Sequence, residues 1–115
     1  MSTNLTAAVR RLMAEHPNLG PFGWRDTPSP FTPTSDFINQ VAAAADYISL
    51  RGLPLRCGSY ALQHLVEEHK RMYVSNGALI VAALLAGYRP VRYGSGPNCR
   101  FEAPVAQAAA AQAAA

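Results

Sequence analysis

Three features of the 115-residue sequence predict a mainly α fold, a small four-helix domain with a C-terminal β-hairpin in a winged-helix-like outline. Three segments repeat their apolar residues at helical spacing, and a fourth is apolar on every side. After Gly87, two short stretches flank the turn sequence Gly94-Ser95-Gly96-Pro97. The length admits one domain.

The first helix is read from Leu5, Val9, Leu12 and Met13, which fall at i, i+4, i+7 and i+8, with Ser2 or Thr3 as its cap and His16-Pro17 as its stop. Residues 1–16 form this unit. Residues 17–34 hold five prolines and two glycines, too many for a helix or a central strand, and read as an extended aromatic arm. Its Phe22, Trp24 and Phe31 gain by burial, so an arm that lays them on the body is ordered. Pro30-Phe31-Thr32-Pro33 also fits the Pro-x-x-Pro pattern of polyproline recognition.

Residues 35–102 form the helical core with its hairpin. Thr34 or Ser35 caps a second helix, Asp36 suits its first turn, and Phe37, Val41, Ala44, Ala45 and Ile48 make its stripe up to Arg51, with Gly52 as the left-handed cap. A third helix is expected over Ser59 to Tyr73, with Leu62, Leu65, Val66, His69 and Met72 inward and Gln63, His64, Glu67, Glu68, Lys70 and Arg71 outward. Glu67 and Arg71 stand at the favourable i,i+4 spacing. Ser75 caps a fourth helix, apolar all round from Ala78 to Ala86, which the other three should enclose. Pro90 to Tyr93 and Asn98 to Phe101 then make the hairpin, and Ala/Gln-rich residues 103–115 offer no contrasting face to dock, so a frayed helix or disorder is expected there.

Composition narrows the function classes. Half the residues are hydrophobic, but 21 are alanine and nine of those lie in the last thirteen positions, so the body has an ordinary globular content. Two cysteines, Cys57 and Cys99, exclude a disulfide-dense scaffold, and the opening residues carry no secretory pattern, which points to a cytoplasmic protein with reduced thiols. The uncharged stretch Met72 to Tyr88 contains Ser75, Asn76, Gly77 and Gly87, which suits a buried helix better than a membrane span.

No motif fixes a catalytic centre. His64 and His69 bracket two glutamates, yet at i,i+5 they lie about 140° apart on a helix, whereas zinc-binding helical pairs need i,i+4. Neither cysteine sits in a nucleophile signature, and Gly94 to Asn98 lacks the lysine and strand-to-helix context of a phosphate loop. The expectation is a non-enzymatic binding protein with no metal or cofactor.

Charge is more informative. The chain carries +3 overall, but residues 51–101 hold Arg51, Arg56, Lys70, Arg71, Arg89, Arg92 and Arg100 against Glu67 and Glu68, a net of +5. Lys70, Arg71, Arg89, Arg92 and Arg100 lie at the end of the third helix or in the hairpin, and alternation along the strands would put Arg92 and Arg100 on one face near Tyr93. These five are the candidate nucleic-acid contacts. The fourth helix offers a groove no donors or acceptors, so binding is expected through phosphates. Phe22, Trp24, Phe31 and Tyr93 are the candidate contacts for a protein partner.

Ser59-Tyr60-Ala61-Leu62-Gln63-His64, then Tyr73-Val74-Ser75-Asn76-Gly77-Ala78-Leu79-Ile80-Val81-Ala82-Ala83, then Gly96-Pro97-Asn98 resemble a pattern in short proteins of bacteriophages, prophages and other mobile elements. It spans residues 59–101 and carries no activity over. The resemblance implies either a nucleic-acid-associated regulator or an anti-CRISPR-like inhibitor of a host defence complex. Many such inhibitors are acidic mimics of nucleic acid, and this basic chain departs from that pattern.

Overall fold

The computed structural model describes residues 2–29 and 31–104. Its elements are α1 (Ser2–Glu15), β1 (Leu19–Gly20), β2 (Gly23–Trp24), α2 (Ser35–Arg51), α3 (Ser59–Lys70), α4 (Asn76–Leu85), β3 (Arg89–Arg92) and β4 (Cys99–Glu102). The four helices and the C-terminal hairpin match the sequence reading. The side chains of the expected α1 caps, Pro30 of the Pro-x-x-Pro run, and the tail from Val105 lie outside the described residues.

α4 is the centre, and α1, α2, α3 and both hairpins pack on it. Ala78 through Ala83 are essentially solvent-free, which accounts for a helix with no polar face, and only Leu84, Leu85 and Ala86 reach the surface. Ser75 caps it, its hydroxyl accepting from Ala78 N at 3.1 Å. α2 is capped in the same way by Thr34, whose hydroxyl accepts from Phe37 N at 3.1 Å. α2 buries Phe37, Val41, Ala44 and Ile48 as expected, and Ile38 and Tyr47 beside them. Gly52 takes a positive φ of 70°, and the chain leaves the helix so that Leu53 N donates to the Tyr88 hydroxyl at 3.3 Å.

α3 departs from its expected outline. It stops at Lys70, and Arg71 takes the left-handed conformation (φ 54°, ψ 44°), a position more usual for glycine. The buried arc is Ser59, Leu62, Gln63 and Val66, so Gln63 turns inward while Leu65, His69 and Met72 stay exposed. The arc is set by β4, against which α3 begins: Ser59 Oγ accepts from Cys99 N at 3.1 Å. The Glu67 and Arg71 pair does not form, because Arg71 turns away and the Glu67 carboxylate accepts from His64 Nδ1 at 2.9 Å and Val74 N at 3.2 Å.

The Pro-rich segment is packed where it precedes Pro28. β1 and β2 pair as a minimal antiparallel hairpin, Leu19 opposite Trp24 and Gly20 opposite Gly23, around the turn Pro21-Phe22. Leu19 and Trp24 join the core, so this stretch does not behave as a free arm. Arg25 fastens it, its guanidinium donating to the Ser29 carbonyl at 2.6 Å. Among the described residues no helix is long and apolar enough to cross a membrane.

Candidate functional site

Two loops converge on the N-terminus of α4. Pro21 O accepts from Gly77 N at 3.2 Å, and Pro97 O accepts from Trp24 N at 3.0 Å. Between them the Asn76 amide nitrogen donates to Phe22 O (3.3 Å), Pro97 O (3.2 Å) and Asn98 Oδ1 (3.0 Å). One amide orientation suits these three acceptors, because the flipped group would bring its oxygen against them, and it leaves Asn76 Oδ1 buried without a partner among the described residues. Gly23 is required there: its φ is +116°, and a Cβ would stand 2.4 Å from Pro97 O. The knot fixes the β1–β2 turn and the β3–β4 turn to one helix end.

The β3–β4 register decides where the basic residues point. Arg92 faces Cys99 and Val91 faces Arg100, so Arg92 and Arg100 lie on opposite faces of the hairpin, contrary to the expectation from simple alternation. Arg92 is turned inward. Its guanidinium donates to Gly96 O at 3.1 Å, lies 3.7 Å from Asp26 Oδ1 and stands 5.7 Å from the centre of the Trp24 ring. Arg89 pairs across the strands with Glu102 at 3.3 Å, and Lys70 pairs with Asp46. Three of the five expected phosphate contacts are thus offset by carboxylates. Arg71 and Arg100 are exposed and have no side-chain partner among the described residues.

Arg100 belongs to a second cluster that the sequence did not reveal. The Tyr93 ring sets its edge against Gly58, with its hydroxyl 3.0 Å from where a Cβ on that glycine would stand. Cys99 is bonded to Ser59, the next residue. The backbones of Tyr60 and Arg100, each one residue from these contacts, and of Arg56, two before Gly58, therefore lie near the N-terminus of α3. Tyr60 is 60% exposed and Tyr93 52%. Gly58 caps α3 without a side-chain hydrogen bond, and no acidic residue lies in the first turn. The end of the helix dipole that favours anions is left without a carboxylate. Arg71, at the other end of α3, is about 18 Å away along the helix and is not part of this cluster. The signal in the sequence was the tight Arg56-Cys57-Gly58-Ser59-Tyr60 run, which becomes meaningful only once Tyr93 closes on it.

The four aromatic residues expected to meet a partner separate likewise. Trp24 is buried and Phe31 is half-buried with its ring against Phe37 at 5.2 Å, so packing has already claimed both. Phe22 is 71% exposed at the tip of its clamped turn, and Tyr93 is exposed on the α3 cluster.

Both thiols are free, and neither hydrogen-bonds a histidine among the described residues. Burial pushes the Cys99 thiol up, although Trp24, Ser59 and the Arg92 charge pull the other way, so the reactive thiolate is disfavoured. His64 is bonded to Glu67 with its ring 4.6 Å from that of Tyr60, and His69 lies 5.3 Å from the Tyr47 ring. Among the described residues no three His, Cys, Asp or Glu side chains gather to hold a metal. No protein-family model matches the chain, and neither the curated proteins nor the solved structures provide a significant match.

Proposed function

We propose that the chain is a non-enzymatic nucleic-acid-binding protein, of the kind phages and other mobile elements carry, which grips a phosphate backbone at the N-terminal end of α3. One observation carries this reading: Arg56 and Arg100 are exposed, have no carboxylate partner among the described residues, and have their backbones near a helix end with no acid in its first turn. The net charge of +3 over the whole chain supports it. Fluorescence anisotropy of labelled oligonucleotides across a salt series tests it. Affinity should fall as salt rises, and Arg100→Ala should flatten the slope of log K against log salt by about 0.7 on a single strand, or about 0.9 on a duplex. Absence of binding at low salt overturns the reading.

Phe22 favours a second reading, a protein partner such as a host defence complex inhibited in the anti-CRISPR manner. A phenylalanine 71% exposed on a turn held by Gly77 N and the Asn76 amide is a rigid anchor of the sort found at the centre of interfaces. Under it, Phe22→Ala abolishes inhibition of target cleavage by such a complex while leaving the Tm unchanged. Retained inhibition would dismiss this second reading.

A further inference from the structure

Building on the nucleic-acid reading, we propose that the bound strand is single, with Tyr60 and Tyr93 as platforms on which its bases stack and Arg56 and Arg100 as the groups that hold its phosphates.

The elements a duplex reader needs are missing from the surface. A helix enters the major groove with polar side chains facing the base edges. α4 cannot, being buried from Asn76 to Ala83. The exposed positions of α3 are Tyr60, Ala61, His64, Leu65, Glu68 and His69, which include a carboxylate and no lysine or arginine. A groove lined by phosphates repels that face. The hairpin fails as a basic wing for a different reason: Arg92 is turned onto Trp24, and Arg89 is matched by Glu102.

What the surface offers instead is planar. Tyr60 and Tyr93 are both more than half exposed, and both are held in place. Tyr93 has its edge on Gly58, and the Tyr60 and His64 rings meet nearly perpendicularly, at 81°. A ring whose position is already fixed loses little rotamer freedom when a base covers it. In a duplex the base faces are stacked on one another and closed to such rings, whereas in a single strand every base has a free π-face. Arg56 and Arg100, exposed and within two residues of Gly58 and Cys99 along the chain, would then meet the phosphates that link successive bases. A Cβ at Gly58 would come within 3.0 Å of the Tyr93 hydroxyl and 3.3 Å of its Cε2, so the glycine sets where this platform lies.

The test uses the full chain with three labelled probes of equal length: an oligothymidylate, an oligouridylate and a mixed-sequence duplex. At low salt at least one single strand should bind about tenfold more tightly than the duplex. Tyr60→Leu and Tyr93→Leu should each weaken single-strand binding about tenfold without altering the salt slope, because a stacking contact releases no counterion. Tyr60→Phe and Tyr93→Phe keep the ring and should keep the affinity. An unchanged Tm for the leucine variants shows that the surface alone was altered. The two single strands differ in the sugar and in the thymine methyl, and a preference for either supports the proposal. If the duplex binds as tightly, or the leucine variants bind like the parent while Arg100→Ala still flattens the slope, stacking is overturned and the phosphate reading survives. No binding to any probe overturns both.

Discussion

Gly77→Ala should destabilise the protein by about 3 kcal/mol, read as a lower urea midpoint at similar m. The sign is informative, because alanine is favoured over glycine within a helix by about 1 kcal/mol and Gly77 is a helical residue of α4. Here the added methyl has nowhere to go. Its carbon would stand 2.1 Å from Gly20 O and 2.5 Å from Pro21 O, and both are backbone atoms that no rotamer change removes. The β1–β2 turn would have to lift, breaking the bond from Gly77 N to Pro21 O and stretching that from the Asn76 amide to Phe22 O. Gly96→Ala is the control. Its nearest neighbour would be Tyr93 O at 3.8 Å, an ordinary contact, so its midpoint should stay close to the parent's. A parent-like midpoint for Gly77→Ala would mean that the turn does not rest on α4.

Phe101→Ala should be more severe, about 4 kcal/mol, or a fall in Tm of about 15 °C. Against a typical total of about 5–15 kcal/mol this is a large fraction. Phe101 is 1% exposed and lies edge-on to Tyr88, 6.5 Å between ring centres. Only Cys99 and Phe101 are buried among the eight strand residues of the β3–β4 hairpin, so the ring is one of two anchors for the whole unit. Its loss should loosen the seats of Tyr93 on Gly58 and of Cys99 on Ser59. Nucleic-acid affinity should therefore fall although Phe101 touches no ligand, and Phe101→Leu should recover most of both properties. Undiminished stability in the alanine variant would show that the hairpin is not held by this side chain.

The parts of the fold legible in the sequence are those set by local chemistry. Thr34 and Ser75 cap helices because a short hydroxyl side chain before an apolar run satisfies amides that would otherwise be orphaned. α4 had to be central because a helix without a polar side has no stable place elsewhere. What escaped depends on partners distant in the chain. The strands β1 and β2 are two residues each, too short for any periodicity, and their pairing rests on contacts with Asn76, Gly77 and Pro97. The inward face of α3 follows from Ser59 bonding Cys99, forty positions later. The basic hairpin was misjudged through register alone: a slip of one residue would have set Arg92 opposite Arg100, and the observed pairing sets it opposite Cys99. Of the candidate site, Arg100 and Tyr93 were legible as individual residues. Their grouping with Arg56 and Tyr60 was not, because two hydrogen-bonded or packed contacts between α3 and the hairpin create it.

The chain has one tryptophan, and it lies where the β1–β2 and β3–β4 turns meet the start of α4. Trp24 is flanked by the His16 ring at 5.9 Å and the Arg92 guanidinium, and its backbone nitrogen is tied to Pro97. Its emission therefore monitors the junction of the two turns with the start of α4, while far-ultraviolet circular dichroism is dominated by α1 to α4 as a whole. Spectroscopy on the unlabelled protein can thus follow the junction and the helices as separate signals, and divergence between them would time the release of the loops relative to the melting of the core.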